Sequence, residues 1–200
     1  MGSLDILITI HALSIWNELR QRQGHCNPGL SQTGQKMASL LATRLDLQQV
    51  KRIYTSDLKR AHHTAQPLSQ KIGIPITTMS HLREGNWANH HVDPDYPPLP
   101  FDSPYEDREA LTQRAIQTLT HIAQTEIKQA QLNRVELCSP ILIITHGGFL
   151  KNFIAKTFPD RAPEYRGIRT ALNHLNYSDH RWRVLKLNDD MHLSDLVPGE

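Results

Sequence analysis

Long apolar runs are the first thing this sequence of 200 residues lacks. The longest, Ile6–Ile10 and Ile141–Ile144, are far too short to span a bilayer, which takes about 20 apolar residues in a helix. No basic stretch and no small-residue cleavage site precede them, so no secretory leader is expected. The start Met-Gly-Ser does not complete a myristoylation pattern, because position 6 is Ile. Cysteine is scarce. Cys26 and Cys138 stand far apart, which favours a reduced pair in the cytoplasm over a disulfide framework. A dominant charge is missing as well, and a net charge of +2 is too mild to argue for nucleic acid. There is no internal repeat and no visible domain boundary. One domain over residues 1–200 is therefore expected, and 38% apolar against 21% charged residues fits a chain with a full core.

What is present is alternation. Leu4–Ile10 reads as a buried strand, continuous and β-branched. Leu30, Met37, Leu40, Leu41 and Leu45 recur at helical spacing, which predicts a helix over Ser31–Leu45 with Ser31 as cap. Arg52–Thr55 is a short strand. Ser56 or Asp57 would cap a helix over Leu58–Ile72, stopped by Gly73. Pro75–Met79 is a further short strand. Residues 85–102 carry four prolines and no period, and read as a lid loop. Ser103-Pro104-Tyr105-Glu106 announces a helix running to about Gln131, with Ser as cap and Pro at its first position. Pro140–Thr145 is a second buried strand, Gly147–Phe158 a helix, and Arg181–Leu187 a last strand, with residues 189–200 as a surface tail. Strands alternating with helices predict a three-layer α/β/α sandwich around a mostly parallel sheet.

Two strands end alike, "ILITIH" at His11 and "ILIITHGG" at His146. In open α/β sheets ligands bind beyond the carboxyl ends of the strands, so both histidines should face one crevice. Gly147 and Gly148 then open a helix whose free N–H groups make an anion site. Arg60 sits one turn into the helix after "TSD", where a guanidinium can fork onto an anion. Glu84 follows a short strand in "LREGNWAN". Two histidines, an arginine, a helix N-terminus and a carboxyl group suit phosphoryl transfer. An imidazole attacks phosphorus, cations hold its oxygens, and an acid protonates the leaving oxygen.

These residues resemble the histidine phosphatase superfamily, in its phosphoglycerate mutase-like branch. The resemblance runs from Leu4 to about Leu193. It rests on Trp16-Asn17, Gln23-Gly24-His25, Leu30-Ser31 with Gly34, Ser56 to Ala65, Leu82 to Glu84, Thr145 to Gly148 and Trp182 to Leu193. It implies that His11 is a nucleophile that becomes phosphohistidine. It also implies that Arg60 and His146 clamp the phosphate, Glu84 donates the proton, and Asn17 touches the phosphate. Ser31 and Gly147 join Asn17 as candidate substrate contacts.

One departure is large. The family's nucleophile motif reads Arg-His-Gly, whereas here it reads Ile10-His11-Ala12. In "NELRQRQG" an arginine, Arg20, stands where the family has glycine, and Gln21 where it has arginine. Arginines supplied to a phosphoryl-transfer transition state are worth roughly 10³–10⁵ in rate. Three readings stay open. Another cation fills the gap in a working phosphatase, with Arg20, Arg22, His25, the pair His62-His63 or the pair His90-His91 as candidates. Alternatively, the fold acts on a non-phosphorylated substrate by His/Glu acid–base or nucleophilic chemistry. The third is a binding pseudo-phosphatase without turnover.

A zinc site from His11, His146 and His90 or His91 is weighed against the absence of H-x₃-H or HExxH spacing, and no metal or cofactor is expected. The expected partner is a small anionic molecule, with no nucleic acid and no membrane, and a homodimer is left open. Trp16 and Trp87 read as packing, Cys26 as a surface thiol, the clustered histidines among the twelve as solvated surface, and Glu106–Arg114 as a solvated helix face.

Overall fold

The computed structural model describes residues 2–44, 46–86, 94–98, 105–137, 139–194 and 196. In chain order its elements are β1 (Ser3–Ile10), α1 (Ile15–Glu18), α2 (Gln32–Leu41), β2 (Ile53–Thr55), α3 (Lys59–Ile72), β3 (Ile76–Thr78), α4 (Arg108–Leu132), β4 (Ile141–Thr145), α5 (Gly147–Thr157), β5 (Leu172–Ser178) and β6 (Arg181–Asp189). The strands form one sheet in the order β3-β2-β4-β1-β5-β6. The pairs β3/β2, β2/β4 and β4/β1 are parallel, and β5 runs antiparallel between β1 and β6.

Side-chain alternation along β1 sorts the core. Leu4, Ile6, Ile8 and Ile10 face one layer with Leu111, Ala115 and Leu119 of α4 and Phe149, Leu150 and Phe153 of α5. Leu7 faces the other layer with Leu41 of α2 and Ala61, Ala65 and Leu68 of α3. Helices on both faces explain why β1 and β4 read as unbroken apolar runs. The expected three-layer α/β/α arrangement around a mostly parallel sheet is what the chain forms.

Several boundaries differ from expectation, each for a physical reason. The capping oxygens of Ser56 and Asp57 are committed elsewhere, to His146 and to Arg83. α3 therefore starts after Leu58, and the Asn27 side chain accepts the Lys59 N–H at 2.7 Å. α4 is capped by Asp107, whose Oδ1 accepts from Ala110 N at 2.8 Å. Ser103 and Pro104 lie outside the described residues. Glu106 and Arg114 are not a solvated face. Both are largely buried and form a two-bond ion pair of 2.7 and 2.8 Å. α2 ends at Leu41, and Leu45 lies outside the described residues. Ser31 does cap α2, accepting the Gly34 N–H. A Cβ at Gly34 would collide with the Leu13 carbonyl, so α2 packs against this segment only with glycine there.

The tail is not merely surface either. The turn Met191–Leu193 brings Leu193 and Leu196 against Ala12, Leu30, Met37 and Ala38, beneath the residue after His11. Of the lid loop, residues 85–86 and 94–98 are described. Tyr96 meets Trp16 edge-on at 6.1 Å, and Pro98 bridges to Cys26. No helix among the described residues is long and apolar enough to cross a membrane.

Candidate active site

His11 and His146 stand at equivalent places because β1 and β4 are parallel neighbours in register, Ile10 opposite Thr145. The His11 N–H still donates to the Thr145 carbonyl at 3.0 Å, so the nucleophile candidate is fixed by the last rung of the ladder. The two rings lie 5.0 Å apart. The His11 Nδ1 is 2.7 Å from the Ala12 carbonyl, which can only accept. Nδ1 must therefore carry the proton, and Nε2 keeps its lone pair. Burial first, then Arg169 and Arg60, hold the imidazole pKa well below its usual value, so the ring is neutral. Ala12, in place of glycine, gives its N–H to the Thr64 hydroxyl at 3.0 Å and packs downward on α2.

His146 is buried behind His11. Ser56 Oγ lies 2.6 Å from its Nε2, while Nδ1 is buried with no hydrogen-bond partner among the described residues. Burial first, then the charge of Arg60, also keeps this ring neutral.

Arg60 is fully buried in the first turn of α3. Its Nη1 and Nη2 donate to the carbonyls of Cys26 and Gly24, both at 2.8 Å, and Nε has no partner among the described residues. Burial lowers its pKa to about 10, so it remains a cation at neutral pH. Cys26 is accordingly buried, not a surface thiol; Cys138 lies outside the described residues.

The N-terminus of α5 does not wait for a ligand anion. Glu84 occupies it, accepting from Gly148 N at 3.0 Å and Phe149 N at 3.1 Å, with Gly85 N at 3.0 Å. A Cβ on Gly148 would run into Oε1 of Glu84, which accounts for the second glycine of "THGG". Arg114 holds the main chain of this segment from behind. Its guanidinium donates to the carbonyls of His81, Arg83 and Glu84, while His25 Nε2 donates to the Glu84 carbonyl at 2.9 Å. Burial lowers the His25 pKa to about 4, so it is neutral and cannot replace a missing cation.

A cavity of about 440 Å³ opens over these groups. His11, Arg60, Glu84 and Gly147 line it, as do Asn17 and Arg22. Asn17 Oδ1 is taken by the Ser14 N–H and hydroxyl, so its amide NH₂ is what it can offer a ligand. Arg20 is exposed and does not line the cavity, and Ser31 is a cap rather than a lining residue. His62 and His63 lie on α3, where His63 lines a separate groove with α2 residues. Trp87, His90 and His91 lie outside the described residues.

One cavity residue escaped the sequence reading. Arg169, just before β5, places Nη1 3.3 Å from His11 Nε2, 3.4 Å from Nδ1 and 3.4 Å from the His11 carbonyl. Being nearly equidistant from both nitrogens, it lies against the ring rather than on one lone pair. Its signal was a basic residue at the start of a strand beside β1, and that strand was itself missed.

A sheet that presents an imidazole lone pair, cations and a carboxyl group at its C-terminal edge brings together the groups that phosphoryl transfer uses. The comparisons with known proteins agree. Residues 6–190 match the family described as histidine phosphatase superfamily (branch 1). The chain belongs to that superfamily and is an enzyme of it. It is 24% identical to phosphoglycerate mutase-like protein 4 of Arabidopsis thaliana, over 96% of this chain and 87% of that one. It is 23% identical to the uncharacterized phosphatase PhoE of Bacillus subtilis (strain 168), over 96% and 98%. Among solved structures, a phosphoserine phosphatase of Entamoeba histolytica in complex with 3-phosphoglyceric acid superposes with a TM-score of 0.74. The two share 19% identity, with 95% of this chain and 99% of that one covered.

Proposed function

We propose that the protein hydrolyses a small phosphomonoester through a phosphohistidine on His11. The observation that carries this reading is the fixed tautomer: the Ala12 carbonyl holds the proton on Nδ1 and leaves Nε2 as a nucleophile at the cavity. The unpartnered Arg60 Nε and His146 Nδ1 add support. Buried polar groups are nearly always paired, and phosphoryl oxygens would pair these.

The Nε2 lone pair attacks phosphorus, and the bond from phosphorus to the ester oxygen breaks. Glu84, in its acid form, gives that oxygen a proton, and the alcohol leaves. A water then attacks the phosphohistidine while the Glu84 carboxylate takes one of its protons. The P–N bond breaks, its electron pair returns to Nε2, and inorganic phosphate departs with Glu84 protonated again. Arg60 offsets the charge on the phosphoryl oxygens, the neutral His146 ring and the Asn17 amide offer them hydrogen bonds, and Arg22 contacts the rest of the substrate. The same reading takes the chain as cytoplasmic and asks for no metal or cofactor.

Hydrolysis of an aryl phosphate by the wild type, His11→Ala and Glu84→Gln tests it. His11→Ala should lose at least about 10³-fold in kcat/KM, consistent with loss of a positioned nucleophile. Glu84→Gln should lose about 10²–10⁴-fold, the range for a positioned proton donor. His11→Ala with wild-type turnover would remove the reading.

A further inference from the structure

We propose that Arg169 supplies the phosphoryl-clamping cation that Ile10, the residue before the nucleophile, does not. The proposal rests on the phosphomonoester reading and names the residue that makes the altered nucleophile motif workable.

Need comes first. Arg60 gives one N–H of each Nη to a main-chain carbonyl, so two of its five donors are held by the fold and fewer remain for a phosphoryl group. Ile10 has no polar atom, and its side chain is sunk in the core with Leu82 and Phe149. Of the cations considered from the sequence, Arg22 lines the cavity but is exposed and makes no hydrogen bond to His11 among the described residues; Arg20 is outside the cavity, His25 is neutral, and His62 and His63 stand elsewhere.

Arg169 has the means. It lines the cavity, and its Nη1 lies within 3.4 Å of both His11 ring nitrogens. Its Nε and Nη2 make no hydrogen bond among the described residues, so a fork remains for an anion. Glu84 and Tyr165 bear on it electrostatically, whereas burial lowers its pKa. The Tyr165 hydroxyl is itself buried without a hydrogen-bond partner among the described residues.

The backbone is bent to put it there. Thr170, the next residue, is buried at φ +58, a conformation that a β-branched residue rarely adopts. Its N–H donates to the Ile10 carbonyl at 3.0 Å, and the Thr9 hydroxyl donates to the Ala171 carbonyl at 2.7 Å. His192 Nε2 meets the Thr170 hydroxyl at 3.1 Å. The main chain of Ile10, where the family motif has arginine, therefore anchors Thr170, which follows Arg169 and leads into the neighbouring strand β5.

The test uses the full chain with two readouts: aryl phosphate hydrolysis, and binding of inorganic phosphate followed by calorimetry. Arg169→Met is expected to lose roughly 10²-fold or more in kcat/KM, toward the range for arginines in phosphoryl transfer, and about ten-fold in phosphate affinity. Arg169→Lys keeps the charge without the fork. It is expected to melt like wild type and to lose about ten-fold in kcat/KM, the share of the fork over a point charge. Wild-type turnover in either variant overturns the clamp and leaves the phosphatase reading standing. A wild type that binds phosphate through Arg169 but hydrolyses nothing keeps the clamp and removes the hydrolytic step. A wild type that neither turns over nor binds phosphate overturns both.

Discussion

Thr170 is where local strain and site geometry meet. A non-glycine residue in the left-handed region costs about 1–3 kcal/mol and persists only where its surroundings hold it. Here the Ile10 carbonyl and His192 do so. Thr170→Gly should relieve that strain, while losing one hydroxyl hydrogen bond, worth about 1 kcal/mol. Glycine also adds unfolded-state entropy of about 0.5–1 kcal/mol. The melting temperature should therefore stay near that of wild type. Turnover should fall about ten-fold or more, because the backbone preceding β5 no longer fixes Arg169. Paired melting and rate measurements decide it, and a loss of stability at full activity would show that the strain serves folding alone. At this scale the sequence displayed His11, His146, Arg60 and Glu84 well, since each follows a strand or opens a helix. Arg169 was hidden because its importance lies in what it reaches across the sheet.

Elements explain why. β5 reads LNHLNYS, with Asn173 buried and the polar residues Asn173 and His174 adjacent, so neither apolar run nor clean alternation marks it. The turn into β6 hides too. Asp179 and His180 lie at φ +51 and +59, the two left-handed residues of a tight hairpin. The usual Asn-Gly signal is absent, although the geometry is the same. The buried strands β1 and β4, by contrast, were plain because helices cover both faces. The α5 N-terminus was legible as an anion site, but the Glu84 carboxyl of the chain itself occupies it. Gly148→Ala tests that arrangement. The added methyl must displace the Glu84 carboxyl. Turnover should then drop about 10²-fold, approaching Glu84→Gln, because the proton donor is misplaced. An unchanged rate would show that the carboxyl is not needed at the helix end.

At the scale of the whole molecule, His11, His25 and His146 are held as neutral, buried groups. The unfolded chain binds protons on His11 and His146 near pH 6.5, whereas the native chain does so only well below that. Between those values the unfolded state holds more protons, so stability rises with pH and is lost as pH falls through about 6.5. Each withheld proton contributes about 1.4 kcal/mol per pH unit in that window. Denaturant midpoints should therefore decline from pH 6.5 to pH 5, above the range where ordinary carboxylates titrate. A flat profile over that interval would contradict neutral burial of both rings. The order of the strands has a further consequence, for biosynthesis. β1, made first, sits between β4 and β5, and Arg169 arrives with β5. On the proposed role of Arg169, a nascent chain that has made β1 and β4 but not yet β5 carries His11 without its clamping cation and is expected to be chemically silent.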